Sequence, residues 1–307
     1  MKVRAITGLA FLISVMIGGC QNHADLDPNG VPEKLLVGMY GGDNPGQTKE
    51  ALAPMRAYLE KKLGMKVEFF FTTDYTTEIE ALRAKKIHMA ILGPFAYILA
   101  AQKPGLEPIA TLGLDGKPAL YRSAIFTTPK TGLKTMDDVK ARSKSLTLCF
   151  ADPASTSGHL IPRAYLTSIG LNPQNAFKEA VFAGSHAASI LSVKSGKMDI
   201  GCSTIDLGIN KLIREGLAKR SDFVILWTSP PIINDVTTIR VDLNKDFIKK
   251  VQDAFLQMAT DNYQAFNAYV KLYYPDTHRM SYVTVQDSQF NSLRKIAGNL
   301  DDLKLNK

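Results

Sequence analysis

The chain has 307 residues, of which 45% are hydrophobic and 21% are charged, a balance that is ordinary for a globular protein. The formal net charge of +8 is compatible with an anionic ligand or a membrane surface. The basic residues are scattered along the chain without interleaved aromatic residues, so a nucleic acid is not expected as a partner. The length allows two modest domains with a sizeable core.

The beginning of the chain has the pattern of an export signal. Lys2 and Arg4 form a basic start, and the apolar run that follows is too short to span a bilayer. Small residues then precede Cys20, which resembles the bacterial lipobox, where the signal is cut before a cysteine whose thiol carries lipid. We expect a lipoprotein signal peptide at 1–19 and a flexible tether at 20–33, with acyl chains on Cys20 as a membrane anchor. A plain signal peptide is the alternative.

From Lys34 onward, apolar strands alternate with amphipathic helices. The strands predicted first are 35–39, 67–71 and 88–92, and the helices between and after them are 50–63, 77–86 and 95–102. Pro54 is expected in the first turn of its helix, and Gly64 is expected to end that helix. This alternation is typical of a parallel sheet with helices on both faces.

A second round of alternation follows. The predicted strands are 123–127, 146–150, 178–182, 198–202, 224–227 and 236–240, and the predicted helices are a short one after Thr135, then 159–168, 186–195, 205–215, 246–263 and 289–297. Extended crossings between the two rounds suggest a hinge. We therefore predict an α/β protein with two lobes, each a mainly parallel sheet flanked by helices, joined by a two-strand hinge. Lobe 1 would contain 34–121 and 236–307, and lobe 2 would contain 122–235.

Three hydroxyl residues lie where a predicted strand meets a predicted helix, in the segment Asp152-Pro153-Ala154-Ser155-Thr156-Ser157-Gly158. The first N–H groups of a helix lack intrahelical partners and carry the positive end of the helix dipole. Ser155, Thr156 and Ser157 could therefore cap the helix, or could bind a tetrahedral oxyanion together with those N–H groups. The spacing alone leaves both interpretations open.

Other polar side chains follow neighbouring predicted strands. Ligands of open α/β sheets lie outside the carboxyl ends of the strands, so we expect a binding cleft between the lobes. Tyr75 and Tyr97 would enter it from lobe 1, His186 from lobe 2, and Asp235 from the second crossing between the lobes. His186 begins a helix, where a neutral imidazole can donate to an anion. Asp235 suits a ligand that retains an acidic proton or carries an amine.

Two cysteines remain once Cys20 is assigned to the anchor. Cys149 and Cys202 each end a predicted strand, and these two strands could be neighbours. In an oxidising compartment such a pair is expected to form a disulfide. A thiol pair that binds a soft centre, such as trivalent arsenic, is the alternative.

Catalysis is not expected. A nucleophilic Ser155 or Ser157 would need His186 as a base and a third group to orient it, and the sequence contains neither a Gly-x-Ser-x-Gly elbow nor an obvious acid for that role. The five histidines lack the paired spacing of metal ligands. We therefore predict neither a metal nor a cofactor.

Five segments together carry a resemblance: Phe71-Thr72-Thr73-Asp74-Tyr75, Leu92-Gly93-Pro94-Phe95-Ala96-Tyr97, Asp152 to Gly158, Ala183-Gly184-Ser185-His186, and Trp227-Thr228-Ser229-Pro230-Pro231-Ile232 followed by Asp235. In this order they resemble the PhnD-type family, the substrate-binding proteins of phosphonate, phosphite and phosphate ABC transporters. The resemblance implies the type II periplasmic-binding-protein fold. It also implies that the hydroxyls of Ser155, Thr156 and Ser157, with His186, hold the phosphorus oxygens, while Tyr75 and Asp235 close the cleft from the other side.

The resemblance and the leader together predict a function. We expect a monomeric, lipid-anchored receptor on the periplasmic or cell-surface side of a bacterial membrane. It would capture a small phosphorus oxyanion (a phosphonate, phosphite or phosphate) and deliver it to the permease of an ABC importer. The alternative is the same fold as the ligand-sensing partner of a membrane histidine kinase, with an oxyanion such as arsenite bound by Cys149 and Cys202.

Overall fold

The computed structural model describes residues 26–42, 44–103, 105–275 and 278–300. The predicted signal peptide, Cys20 and the first part of the tether lie outside these residues. No helix among the described residues is both long and apolar enough to cross a membrane.

The predicted alternation of strands and helices is present. The strands are β1 (Lys34–Tyr40), β2 (Lys66–Thr72), β3 (Met89–Leu92), β4 (Leu106–Leu114), β5 (Lys117–Pro118), β6 (Leu120–Tyr121), β7 (Ser123–Thr127), β8 (Thr147–Phe150), β9 (Glu179–Phe182), β10 (Ile200–Thr204), β11 (Val224–Thr228), β12 (Ile232–Ile233), β13 (Val236–Arg240) and β14 (Met280–Val283). The α-helices are α1 (Pro45–Leu63), α2 (Tyr75–Arg83), α3 (Pro94–Ala100), α4 (Met136–Arg142), α5 (Ile161–Ser168), α6 (His186–Lys194), α7 (Asn210–Arg214), α8 (Lys245–Asp261), α9 (Tyr263–Val270) and α10 (Asn291–Gly298).

The strands form two main sheets, and both are mixed. The first has the order β14-β4-β13-β3-β1-β2, with β5 paired to β4, and the second has the order β11-β7-β10-β8-β9. In each sheet three neighbouring strands are parallel, β3-β1-β2 and β10-β8-β9. The strands next to these, β13 in the first sheet and β7 in the second, are antiparallel to their neighbours.

A short ribbon connects the two sheets. β6 pairs antiparallel with β12, so the outgoing and the returning chain run side by side between the sheets. The strands of the first sheet come from residues before β6 and after β12, and those of the second sheet come from residues between them. The proposed limits of the two lobes, at 121/122 and 235/236, are compatible with this ribbon.

Alternate residues of β1 pack into two different cores. Val37 and Met39 belong to the core under α1, α8 and α9. Leu36 points to the opposite face, into the core under α2, α3 and α10. Since helices cover both faces of the sheet, the carboxyl ends of its strands are the edge that can receive a ligand.

The first helix starts earlier than its sequence predicted. α1 begins at Pro45, not at residue 50, so Pro54 lies inside the helix and not in its first turn. The side chain of Asn44 caps this start by accepting from the N–H of Gln47 over 3.1 Å, and Pro45 takes the first-turn position that proline favours. Gly64 ends the helix in the left-handed conformation, as predicted.

The predicted disulfide is wrong. β8 and β10 are parallel neighbours, but Cys149 is in register with Gly201 and not with Cys202. Successive side chains of a strand point to opposite faces, so the two thiols lie on opposite faces of the sheet. Both cysteines are free and buried. The same register keeps the two thiols from binding one soft ion together.

We expect a chain carrying Cys20→Ser to melt at the same temperature with and without dithiothreitol, because no disulfide links Cys149 to Cys202. A thiol reagent should label both residues in guanidinium and neither in native buffer, since they are 1% and 0% exposed. A melting temperature that falls on reduction, or a native mass lower by two hydrogens than that of the reduced chain, would contradict the free thiols.

A buried carboxyl lies beneath the start of α2. Glu78 is 0% exposed, and neither of its oxygens has a hydrogen-bond partner among the described residues. The carboxyl occupies space left by Gly38, where a Cβ would lie 3.2 Å from Glu78 Oε1. Burial, and secondarily the charge of Asp235, raises the pKa of Glu78 well above its ordinary value.

Replacing Glu78 by Gln should therefore stabilise the protein in a pH-dependent way. A carboxyl whose pKa is raised by folding opposes folding increasingly as the pH rises above its unfolded pKa. The melting temperature of Glu78→Gln should exceed that of the wild type at pH 8, and the difference should vanish near pH 4. Glu80→Gln, in the same helix but 60% exposed, is the control. A difference that is constant between pH 4 and pH 8 would rule out a raised pKa for Glu78.

Candidate functional site

A cavity of about 110 Å³ lies between the two sheets. Tyr40, at the end of β1, and Gly93, directly after β3, line it from the first sheet. Ser155, after β8, and Thr204, at the end of β10, line it from the second. The cavity therefore lies at the carboxyl ends of strands of both sheets, as the strand-end rule predicted.

The turn after β8 acts both as a helix cap and as a cavity wall. It forms a π-helical turn, Thr156–Leu160, before α5. The hydroxyl of Ser155 accepts from the N–H of Gly158 over 3.0 Å, which is a capping bond, and Ser155 also lines the cavity. A Cβ on Gly158 would lie 2.4 Å from the Cβ of Ala151 and 3.0 Å from Cε1 of His186. Glycine at this position lets the imidazole lie directly against the turn.

His186 is held between hydroxyl groups. Its Nε2 is 3.3 Å from Oγ of Ser155, and its Nδ1 is 2.9 Å from Oγ of Ser203 in β10. The side chain of Ser185 caps α6 by accepting from the N–H of Ala188, which fixes His186 at the first position of the helix. The ring therefore lines the cavity beside the serine turn.

Thr156 connects the turn to the first sheet. Its hydroxyl accepts from the backbone N–H of Phe95, in the first turn of α3, over 2.8 Å. Tyr121, at the end of β6, lines the cavity beside Thr156 and Ser157. Burial raises the pKa of Tyr121 well above its usual range, so this phenol stays protonated. Hydroxyl donors from both sides of the cleft thus converge at one end of the cavity.

Tyrosines form much of the remaining wall. Tyr75 stacks on Tyr40, with ring centroids 4.5 Å apart. The sequence analysis selected Tyr75 for the site, because it follows a predicted strand. The full set lining the cavity is Tyr40, Tyr75, Tyr121, Tyr269, Tyr273, Tyr274 and Tyr282. The last four come from the C-terminal part of the chain, where no strand end was predicted, so the strand-end rule missed them.

Tyr97, which the sequence predicted as a site residue, does not line the cavity. It is 1% exposed, and its hydroxyl donates to Oδ1 of Asp287 over 2.6 Å. Its ring packs on Phe290, with centroids 5.1 Å apart. Tyr97 lies one turn into α3, so its side chain points into the core under that helix and away from the strand end.

Ser155, Thr156 and Ser157, together with His186 and Tyr121, are called the hydroxyl cradle below. Asp235 lines the cavity next to it. A Cβ on Gly93 would lie 3.7 Å from Thr156 Oγ1 and 3.8 Å from Asp235 Oδ1, so the glycine separates these two groups without filling the space. Burial raises the pKa of Asp235 to about 6. Burial, and to a smaller extent the charge of this carboxylate, raises the pKa of several tyrosines around it, namely Tyr75, Tyr121, Tyr269, Tyr274 and Tyr282.

Lys211 is the one lysine or arginine among the described residues that line the cavity. It is 8% exposed, and its ammonium lies 5.4 Å from the centre of the Tyr273 ring. Glu215 is its ion-pair partner, with an N–O distance of 3.6 Å. Sequence reasoning did not select Lys211, because it lies in α7, beyond the turn that follows β10.

Comparison with known proteins shows the family of this chain. The profile of the family described as ABC transporter, phosphonate, periplasmic substrate-binding protein matches residues 37–290. The phosphate-import protein PhnD of Mycolicibacterium smegmatis is 27% identical over 274 residues, covering 84% of this chain and 84% of that protein. The phosphonates-binding periplasmic protein of Escherichia coli is 28% identical over 258 residues, covering 83% of this chain and 75% of that protein.

Solved structures share the fold. PhnD1 from Prochlorococcus marinus, in complex with methylphosphonate, has a TM-score of 0.76 at 20% identity, covering 88% of this chain and 98% of that one. A binding protein component of a phosphonate ABC transporter from Pseudomonas aeruginosa has a TM-score of 0.76 at 23% identity, covering 86% and 85%. The fold is thus that of the type II periplasmic binding proteins. With a family profile that spans both sheets, the chain belongs to the periplasmic substrate-binding proteins of phosphonate ABC transporters.

Proposed function

We propose that this chain is a lipid-anchored receptor that binds a small phosphorus oxyanion in the cavity and delivers it to an ABC permease. The observation that carries the proposal is the convergence of Ser155, Thr156, Ser157, His186 and Tyr121 at one end of the cavity. These groups can donate hydrogen bonds from several directions, which suits the oxygens of a tetrahedral anion. The start of a helix adds backbone N–H groups on the same side.

The rest of the cavity supports an organic phosphonate as the ligand. Beyond the hydroxyl cradle the wall is made of tyrosine rings and apolar side chains, including Met39, Ile91 and Leu112. Such a wall suits the carbon substituent of a phosphonate better than it suits an inorganic anion, whose oxygens all need hydrogen-bond donors or water. A relative with the same fold was solved with methylphosphonate. Phosphate and phosphite fill the cradle alone and are the other candidates.

The proposal treats the chain as a binding protein and not as an enzyme. Ser155 and His186 are 3.3 Å apart, but the other ring nitrogen of His186 bonds to the hydroxyl of Ser203. A hydroxyl orients an imidazole without stabilising its protonated form as a carboxylate would. We therefore expect reversible binding without turnover by a monomer held at the extracytoplasmic face of the membrane through Cys20. The sensor alternative is not proposed, because Cys149 and Cys202 face opposite sides of their sheet.

Removing one hydrogen-bonding group from the cradle should weaken binding without unfolding the protein. Each charge-assisted hydrogen bond contributes about 1.5–3 kcal/mol, so Ser155→Ala and His186→Ala should each lower the affinity for methylphosphonate roughly tenfold to hundredfold. Isothermal titration calorimetry measures the affinity, and the melting temperature reports whether the variants remain folded.

The control for the cradle variants is Ser168→Ala, at the exposed C-terminal end of α5, the helix that follows the serine turn. It should bind methylphosphonate as the wild type does. If the wild type binds a phosphorus oxyanion and both cradle variants bind it equally well, the site assignment is wrong. If it binds neither methylphosphonate, 2-aminoethylphosphonate, phosphite nor phosphate, the proposed function itself is wrong.

Asp235→Asn should stabilise the ligand-free protein at high pH. Burial raises the pKa of Asp235 from 3.8 to about 6, so ionising this carboxyl opposes folding. The effect is absent below about pH 4 and complete above about pH 6, where a shift of this size corresponds to up to about 3 kcal/mol. Denaturant unfolding at pH 4 and pH 8 measures the difference between the variant and the wild type.

The control for this measurement is Asp206→Asn, an exposed carboxylate near the same cavity whose side chain accepts from Asn210. A variant Asp235→Asn that is less stable than the wild type at pH 8 would show that Asp235 has a stabilising partner in solution. That result would contradict the statement that partial burial raises the pKa of the Asp235 carboxyl.

A further inference from the structure

Lys211 reaches the cavity from a helical face that the proposed oxyanion cradle does not use. Thr204 is the last residue of β10, and Leu207 and Lys211 belong to the helical turns that follow it; all three line the cavity. The cradle residues come instead from the turn after β8 and from the start of α6. The cavity therefore has a second polar group that the binding of one phosphorus oxyanion by the cradle does not explain.

The ammonium of Lys211 is largely buried, and its ion pair with Glu215 is too long for a hydrogen bond. Among the described residues it donates no hydrogen bond, and its contacts are the face of the Tyr273 ring at 5.4 Å and a Glu215 oxygen at 3.6 Å. An ammonium carries three donors, and burying it without acceptors is unfavourable. An anionic group on a bound ligand would supply the missing acceptors. The side chain is 8% exposed, so water has little access to it from outside the cavity.

Lys211 also lies against a different part of the wall. Its aromatic neighbour Tyr273 belongs to the segment after α9, which packs with the first sheet. The hydroxyl of Tyr273 is close to Gly42, where a Cβ would lie 3.8 Å from it. The cradle hydroxyls contact Tyr121, Phe95 and His186 instead. The ammonium of Lys211 and the hydroxyl cradle thus contact different residues within one cavity.

We propose that the ligand is a phosphonate with a second acidic group on its organic substituent, a phosphonocarboxylate, and that the carboxylate binds the ammonium of Lys211. This inference rests on the proposed function, since the phosphonate end would occupy the cradle formed by Ser155, Ser157 and His186. The tyrosine rings between the two polar groups would pack on the carbon chain. A buried lysine and a carboxylate attract each other strongly when the water between them is removed.

The test compares two ligands in the full chain: 3-phosphonopropionate, which carries a carboxylate, and n-propylphosphonate, which has a similar length without it. Calorimetry should show that the wild type binds 3-phosphonopropionate at least tenfold more tightly. Lys211→Met keeps most of the side-chain volume and should abolish this preference, while its affinity for n-propylphosphonate should stay within about twofold of the wild type. Lys211→Gln provides the same comparison if the Met variant does not fold.

The matched control is Lys197→Met, an exposed lysine that precedes β10 at the opposite end of that strand from the cavity. It should keep the full preference for 3-phosphonopropionate. A wild type that binds both ligands equally, or a Lys211 variant that retains the preference, overturns the inference and leaves the proposed function intact. Equal weakening of both ligands in Lys211→Met overturns it too, because Lys211 would then serve the phosphonate. A wild type that binds neither ligand, nor methylphosphonate or phosphate, removes both proposals.

Discussion

A hydrogen bond between Phe95 and Thr156 joins the two sides of the candidate site. The backbone N–H of Phe95, in the first turn of α3, donates to the hydroxyl of Thr156 in the turn after β8. This bond uses a lone pair of the hydroxyl and leaves its proton available to another acceptor. Tyr121, which enters from the connecting ribbon, lies beside the same threonine and Ser157. The relative position of the two sheets at the cavity therefore depends on groups that also face the ligand.

The cavity has few formal charges of its own with which to bind the proposed anion. Among the described residues that line it, the cationic and anionic side chains are Lys211 and Asp235, whose charges oppose each other. The cradle consists of neutral hydroxyl groups and of His186, which lies between the hydroxyls of Ser155 and Ser203. Hydrogen bonds depend on direction more than a net positive charge does, so such a cradle selects for the shape of an anion as well as for its charge.

The strand-end rule explains both what the sequence could predict and where it failed. It selected Ser155 and His186, because one lies in the turn after a strand and the other begins the helix after one, and the structure brings both to the cavity. Asp235, which was selected from the crossing between the lobes, lines the cavity as well. The rule failed for Tyr97, which lies one turn into α3 and faces the core. It also failed for Cys149 and its predicted partner, because a register shift of one residue reverses the face to which a strand side chain points.

The C-terminal wall could not be predicted from local pattern, because long-range contacts place it. Tyr273 and Tyr274 follow α9, far in sequence from the residues they face. The guanidinium of Arg214 donates to the carbonyl of Tyr273 over 3.0 Å, and the side chain of Asn234 donates to the hydroxyl of Tyr274. The hydroxyl cradle is thus fixed by a local turn, whereas Tyr273 and Tyr274 in the cavity wall depend on a separate segment. Substitutions in that segment can change which organic group fits while the cradle keeps its geometry.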